Sequence, residues 1–245
     1  MFIFLRLLLA HSIADFPLQF NKVYELKHKG LVGGIPHALL VSLTLIACLW
    51  PYLANPGIWV FIYFISFIHL LQDNTKIRLG SVKYSFWFYL LDQCFHILTS
   101  ATILVTKLAD YPPPQVNGQF IIQLYNDNLL VVFIIAFITA TYNGLFLIRS
   151  FKLSYLNRDC STSYTFFETV YGMLERALIV VLITLGNFYF AALPLILLLR
   201  PLIVYADKKK TLVKKCFLSL HEYLLSWGVG LVTGIALRVV LWKFF

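Results

Sequence analysis

Charge is what this chain has least of. Asp, Glu, Lys and Arg make up 13% of its 245 residues, against about 25% in a soluble globular domain. That shortage excludes an ordinary water-facing surface. Cysteine is sparse too: Cys48, Cys94, Cys160 and Cys216 form no CxxC pair and no zinc-ribbon spacing, so a cysteine-built metal site is excluded and the thiols are expected to be free. There is no internal repeat and no low-complexity tract. The amino-terminal apolar run also lacks a small-x-small cleavage site. It passes directly into His11, Asp15 and Pro17, so it reads as a retained span and not as a signal peptide.

What the chain has instead is apolar surface. Hydrophobic residues are 60% of it and mean hydropathy is +0.80, which indicates an integral membrane protein. A helix crosses the hydrocarbon core with about 20 apolar residues. That rule predicts an all-α membrane protein, a polytopic bundle of about eight transmembrane helices at 2–20, 35–54, 57–78, 84–108, 128–149, 166–186, 188–206 and 218–242. Pro56-Gly57, Gly186-Asn187 and the Pro-rich stretch 111–118 supply turns. The chain is expected to divide into a four-span half, 1–110, and a second four-span half, 111–245.

The net charge of +9 would suit nucleic acid, but the basic residues lie in short connections, where they orient a membrane protein. Lys22, Lys27 and Lys29 fall in the first, Lys76, Arg78 and Lys83 in the third, Arg149, Lys152 and Arg158 in the fifth, and Lys208, Lys209, Lys210, Lys214 and Lys215 in the seventh. The alternate connections, near 55, at 109–127 and near 187, hold no Lys or Arg. Eight spans with both termini on the non-cytoplasmic side satisfy this pattern, and no nucleic-acid partner is expected.

Against that apolar background three histidine–aspartate pairs stand out, each four residues apart: His11/Asp15, His69/Asp73 and Asp92/His96. Four-residue spacing puts both side chains on one helix face. His37 opens another span, where it is either a further ligand or an interfacial helix-start residue. The topology brings all seven residues to one cytoplasmic-side layer. Ionisable groups inside spans are rare and tend to mark sites. Imidazole plus carboxylate suits zinc, with manganese as the alternative. Seven candidate ligands exceed what one tetrahedral ion takes and suit two ions bridged by a carboxylate, though one ion, or plain hydrogen bonding between helices, stays open. Gln19 and Gln93 are placed to hydrogen-bond ligands, and His28 reads as a solvated loop residue. Lys76 and Arg78 either attract an anion or only set topology.

The second half carries Glu175-Arg176, Arg200 and His221-Glu222-Tyr223 inside or beside apolar runs. Either these pair between helices, or Arg176 and Arg200 bind a phosphate or carboxylate through the planar guanidinium.

The segments LLLAHSIADFPLQFNKVYELKHKG, IPHALL, HLLQDNTKIRL and FYLLDQCFH resemble an uncharacterised bacterial inner-membrane family, the domain-of-unknown-function family 3307. Its amino-terminal half carries the order H-x-x-x-D, H, H-x-x-x-D, D-Q-x-x-H. A looser second-half pattern looks like Gly172, Glu175, Arg176, Arg200 and Glu222-Tyr223 here, although LLSWGVG departs from the family's small-residue run after E-Y. The resemblance implies a bacterial inner-membrane location and supplies no reaction. More distantly the chain is similar to proteins labelled membrane-bound metal-dependent hydrolases.

The leading expectation is a metal-dependent hydrolase with one or two ions, acting on a phosphoester or related bond of a lipid or other membrane-associated substrate. His11, Asp15, His37, His69, Asp73, Asp92 and His96 would hold metal, and Arg176 and Arg200 would stabilise anionic charge. No separate general base can be picked out, because every good candidate is also a good ligand. The alternatives are a divalent-cation or proton transporter using the same groups, or a non-catalytic membrane subunit of a larger complex. A b-type haem protein trails, since haem gives no reason for the aspartates.

Overall fold

Apolar runs punctuated by Pro, Gly and Asn fold into helices, and no strand occurs among the described residues. The computed structural model describes residues 1–115, 120–155, 166–206 and 220–242. Cys160, Cys216, Arg158 and the basic run 208–215 lie outside them. The helices are α1 (Phe2–Asp15), α2 (Asn21–Lys27), α3 (Leu31–Cys48), α4 (Pro56–Leu79), α5 (Ser85–Ala101), α6 (Phe120–Asn126) and α7 (Asn128–Ile138). A π-helical segment, Thr139–Asn143, joins α7 to α8 (Gly144–Tyr155), followed by α9 (Phe166–Leu185), α10 (Leu193–Ala206) and α11 (Leu220–Trp242).

Five stretches are long and apolar enough to cross a membrane: Leu31–Cys48, Pro56–Leu79, Val82–Val105, Asn128–Tyr155 and His221–Trp242. These fall on the spans expected at 35–54, 57–78, 84–108, 128–149 and 218–242. The other three expected spans meet helices that fall short of that measure. α1 has 14 residues because Pro17 has no N–H to continue the ladder. α9 has 20 residues but carries Glu168, Glu175 and Arg176. α10, with 14 residues, follows Gly186 at φ +67 and a 3-10 turn.

The chain divides into two compact units, Met1–Ile135 and Ala136–Phe245. In the first, α1 packs on α3, α3 on α4, α4 on α5 and α5 back on α1, closing a ring of four helices, with α2 laid on α3. Asn55 caps α4 by accepting a hydrogen bond from the Gly57 N–H at 2.8 Å, with Pro56 at the first helical position. On α1 the buried stripe Ile3, Leu7, Ala10 and Ala14 keeps helical period. It meets Val41, Leu45, Ile58, Ile62 and Ile65 in an apolar core. Arg6 is buried in α1, donating to Asn128 Oδ1 and to the Phe2 and Tyr125 carbonyls. Outside the ring, Leu39, Leu43, Val60, Tyr63, Phe64, Phe67, Leu91 and Phe95 are exposed. An exterior this apolar, around an interior that buries ionisable groups beside its apolar core, is the reverse of a water-soluble bundle.

In the second unit α9 packs on α11 and on the π segment. Ser226, Gly230 and Gly234 form a small-residue stripe along α11. A Cβ at Gly230 would lie 3.0 Å from Ile179 Cγ2, so glycine there sets the helix separation. The π segment widens the ladder and offers carbonyls sideways. Arg176 takes two of them, donating to Ala140 O at 2.5 Å and Thr141 O at 2.9 Å.

Candidate metal centre

Each helix of the four-membered ring presents polar groups to its interior. α1 presents His11 and Asp15, α3 His37, α4 His69 and Asp73, and α5 Asp92 and His96. All seven are buried, from 0% exposure for His37 to 7% for His11 and Asp73. The four-residue spacing works as the sequence suggests, since in each pair both members point into the ring.

The tightest part is a triangle. His37 Nε2 lies 3.1 Å from Asp15 Oδ1 and 3.1 Å from His69 Nε2, and His69 Nε2 lies 3.1 Å from Asp15 Oδ1. Zinc bonds of 2.0–2.1 Å in tetrahedral geometry set ligand atoms about 3.3 Å apart, so this triangle has nearly the dimensions of one tetrahedral face. A proton on either imidazole can bridge only one edge at a time, whereas one cation satisfies all three corners. Asp73 Oδ2 comes next, 3.4 Å from His69 Nε2 and 3.6 Å from His37 Nε2.

Asp73 also faces the other way, with Oδ1 4.0 Å from His96 Nε2. There His96 Nε2 lies 3.3 Å from Asp92 Oδ1, yet neither atom makes a hydrogen bond, and neither does buried His11 Nε2. The rings of His69 and His96 stack with centroids 4.1 Å apart, and His11 lies 5.0 Å from His96. Three sets each bring their ligand atoms within 4.8 Å of one another: His11/His69/His96, Asp15/His37/His69 and Asp73/Asp92/His96. Buried polar atoms are normally hydrogen-bonded. Unpartnered nitrogens and a carboxylate oxygen converging on one space are the arrangement a cation completes.

Two lysines also meet the cluster: Lys27, read from sequence as part of a connection, and Lys76, read either as attracting an anion or as setting topology. Lys27 ends α2, is 7% exposed, and its Nζ lies 2.7 Å from Asp73 Oδ2. It also donates to Gln19 Oε1 at 2.7 Å, so Gln19 reaches Asp73 through the lysine. Lys76 Nζ lies 2.6 Å from Asp92 Oδ2, which also accepts from Gln93 Nε2 at 3.2 Å. The sequence signal for these cations was the surplus of carboxylates within apolar helices, which requires compensation. Beside the three-histidine set lies a cavity of about 10 Å³, near the size that admits one water. Gln72, Thr99 and Ser100 share its lining. Gln72 donates to Thr99 Oγ1 at 2.8 Å while its own Oε1 is buried without a hydrogen bond. His28 is exposed, its ring centroid 5.0 Å from that of Tyr24.

Arg176 and Arg200 belong to the second unit. Besides its two carbonyls, Arg176 donates to Ser226 Oγ at 3.3 Å. Arg200 pairs with Glu175, whose Oε2 also accepts from Ser226 Oγ at 2.7 Å, and Lys152 pairs with Glu222. Of the pairings expected between Glu175 or Glu222 and Arg176 or Arg200, the structure has Arg200 with Glu175, while Glu222 meets Lys152 and Arg176 meets carbonyls and a hydroxyl.

No curated protein and no solved structure matches the chain. Residues 3–117, the stretch that supplies all seven groups of the centre, match the family described as Protein of unknown function (DUF3307).

Proposed function

We propose that this is a membrane-embedded, metal-dependent hydrolase of the bacterial inner membrane. Its eight helices cross the bilayer with both termini on the non-cytoplasmic side, and its His/Asp centre opens toward the cytoplasm. The observation that carries the reading is the 3.1 Å triangle of Asp15, His37 and His69, three protein ligands that leave further coordination positions, as in catalytic zinc sites. Asp15, His37 and His69 hold the first divalent ion, zinc or manganese. Asp73 reaches toward it with one oxygen and toward the His11, Asp92 and His96 side with the other, where a second ion has its donors. Bound there, a divalent ion lowers the pKa of its water and polarises a phosphoryl oxygen. The substrate is a phosphoester or related bond of a lipid or membrane-associated molecule. Arg176 and Arg200, the proposed stabilisers of anionic charge, belong to the second unit, where that part would require Arg200 to leave Glu175.

The apolar exterior of the ring and the Lys/Arg alternation support the membrane placement. Divalent-cation transport through the same groups is the second reading. It is favoured by the burial of all seven groups and by a cavity sized for a water. Elemental analysis of detergent-purified protein tests the shared premise, and a preparation that neither carries nor takes up zinc or manganese removes both readings. Phosphate release from phosphoester lipids by metal-loaded protein supports hydrolysis. Ion flux into proteoliposomes without hydrolysis supports transport.

A further inference from the structure

The two lysines in the centre stand where a metal's charge would stand. Lys27 holds Asp73 Oδ2 at 2.7 Å, and that oxygen is also the nearest additional donor to the histidine pair, at 3.4 and 3.6 Å. Lys76 likewise holds Asp92 Oδ2, while Asp92 Oδ1 is left without a hydrogen bond beside His96. A divalent ion and an ammonium group on one carboxylate would repel each other at close range in a poorly screened interior. Charge balance runs the same way. Asp15, Asp73 and Asp92 against Lys27 and Lys76 leave one negative charge when the histidines are neutral. One divalent ion turns that into one positive charge and two ions into three. A buried surplus of that sign is stabilised by an anion.

We infer that Lys27 and Lys76 are tethered cations. They hold Asp73 and Asp92 until a divalent ion takes the carboxylates, and the released ammonium groups then bind the anionic oxygens of a phosphoryl group. Gln19, bonded to Lys27 at 2.7 Å, keeps that ammonium group at the edge of the site during the exchange. Lys76, whose side chain is 34% exposed, is the one already open to an arriving anion. The inference rests on the metal reading above and assigns that site its substrate class.

The test uses full-length protein in nanodiscs and follows acetylation of Lys27 by an amine-reactive reagent, read by mass spectrometry. Zinc is expected to raise Lys27 acetylation at least fivefold over metal-free protein. Either inorganic phosphate or phosphatidic acid in the disc then reverses the rise; reversal by phosphatidic acid alone identifies a lipid headgroup as the source, and reversal by phosphate identifies a free anion. Lys27→Met is expected to bind zinc at least tenfold more tightly than wild type and to lose the share of anion binding that Lys27 supplies. Wild-type protein that binds neither zinc nor manganese overturns the metal reading itself. Zinc binding with unchanged Lys27 acetylation overturns the exchange and leaves the metal centre standing. Acetylation that rises but resists both anions overturns the anion assignment. A Lys27→Met protein that elutes as wild type does but binds zinc more weakly also overturns the exchange.

Discussion

Replacing His69 by alanine removes the one side chain common to the His11/His69/His96 and Asp15/His37/His69 sets. The magnitude follows from the geometry. His69 Nε2 is one corner of the 3.1 Å triangle and lies 3.4 Å from Asp73 Oδ2, so its loss removes a ligand without providing another within reach. Zinc in four-ligand protein sites is bound by about 10–16 kcal/mol, roughly 3 kcal/mol per ligand. That share corresponds to an increase in Kd on the order of 100-fold. Without metal the same substitution leaves Asp15 with His37 and with His11, 3.8 Å away. Losing that partner lowers stability by about 1–3 kcal/mol. The assay is chelator competition for zinc on detergent-purified protein, alongside thermal unfolding of the metal-free form. His28→Ala serves as a control because His28 is exposed and meets the Tyr24 ring edge-on, and it is expected to change neither quantity. Unchanged zinc affinity in His69→Ala together with a lower unfolding temperature would refute the reasoning, because the imidazole would then be a packing and hydrogen-bonding residue.

Glu175→Gln withdraws a buried carboxylate from Arg200 and Ser226. Breaking a buried pair from one side costs about 3–5 kcal/mol, so the unfolding temperature in detergent should fall, and an unchanged value would count against a structural pair. Gly230→Leu forces a side chain into Ile179, whose Cγ2 would lie 3.0 Å from the new Cβ. An overpacking loss of about 1–3 kcal/mol is expected in the same assay, and a silent substitution would show that the two helices separate at no cost. In a background lacking Cys48, Cys94, Cys160 and Cys216, Ser81→Cys should be labelled by an impermeant maleimide from the cytoplasmic side and Asn55→Cys from the opposite side; labelling of both from one side would break the proposed topology.

The candidate ligands were legible because helical spacing survives any tertiary arrangement. An H-x-x-x-D pair within a helix faces one way whatever the helix packs against. His37 has no such partner, and only its depth at the start of a span pointed to the layer it occupies. Lys27 was not legible. Its neighbours in NKVYELK read as a charged connection, and only the packing of α2 on α3 buries its stem against Asp73. The end of α1 was legible in principle, since Pro17 stands there, but the apolar run through Phe20 carried the expected span past it. The π segment is a different case. Thr139–Asn143 sits within an ordinary apolar stretch, and the group that donates to its displaced carbonyls, Arg176, lies on another helix. Gln72 was equally unreadable, one more polar residue beside the pair His69/Asp73 until the cavity gave it a position.

The two units handle buried charge in different ways, and the difference bears on the proposed metal centre. Among the described residues of the second unit, the buried carboxylates Glu168, Glu175 and Glu222 are matched in number by the buried cations Lys152, Arg176 and Arg200. Two direct pairs, Glu175 with Arg200 and Glu222 with Lys152, join residues far apart in sequence. A balanced set of that kind satisfies itself and needs nothing added. In the first unit Asp73 and Asp92 have lysines and the third cation, Arg6, is spent on Asn128 and the Phe2 and Tyr125 carbonyls, so Asp15 is left with imidazoles, at 3.1 Å from His37 and His69 and at 3.8 Å from His11. A carboxylate in an apolar surrounding with only histidines for company either protonates them or gathers a cation among them. Protonation on one imidazole leaves the opposing nitrogens of His37 and His69, 3.1 Å apart, competing for a single oxygen. A divalent cation bonds all three atoms and requires no proton. The unmatched carboxylate therefore lies in the triangle whose edges have nearly the dimensions of a tetrahedral coordination face.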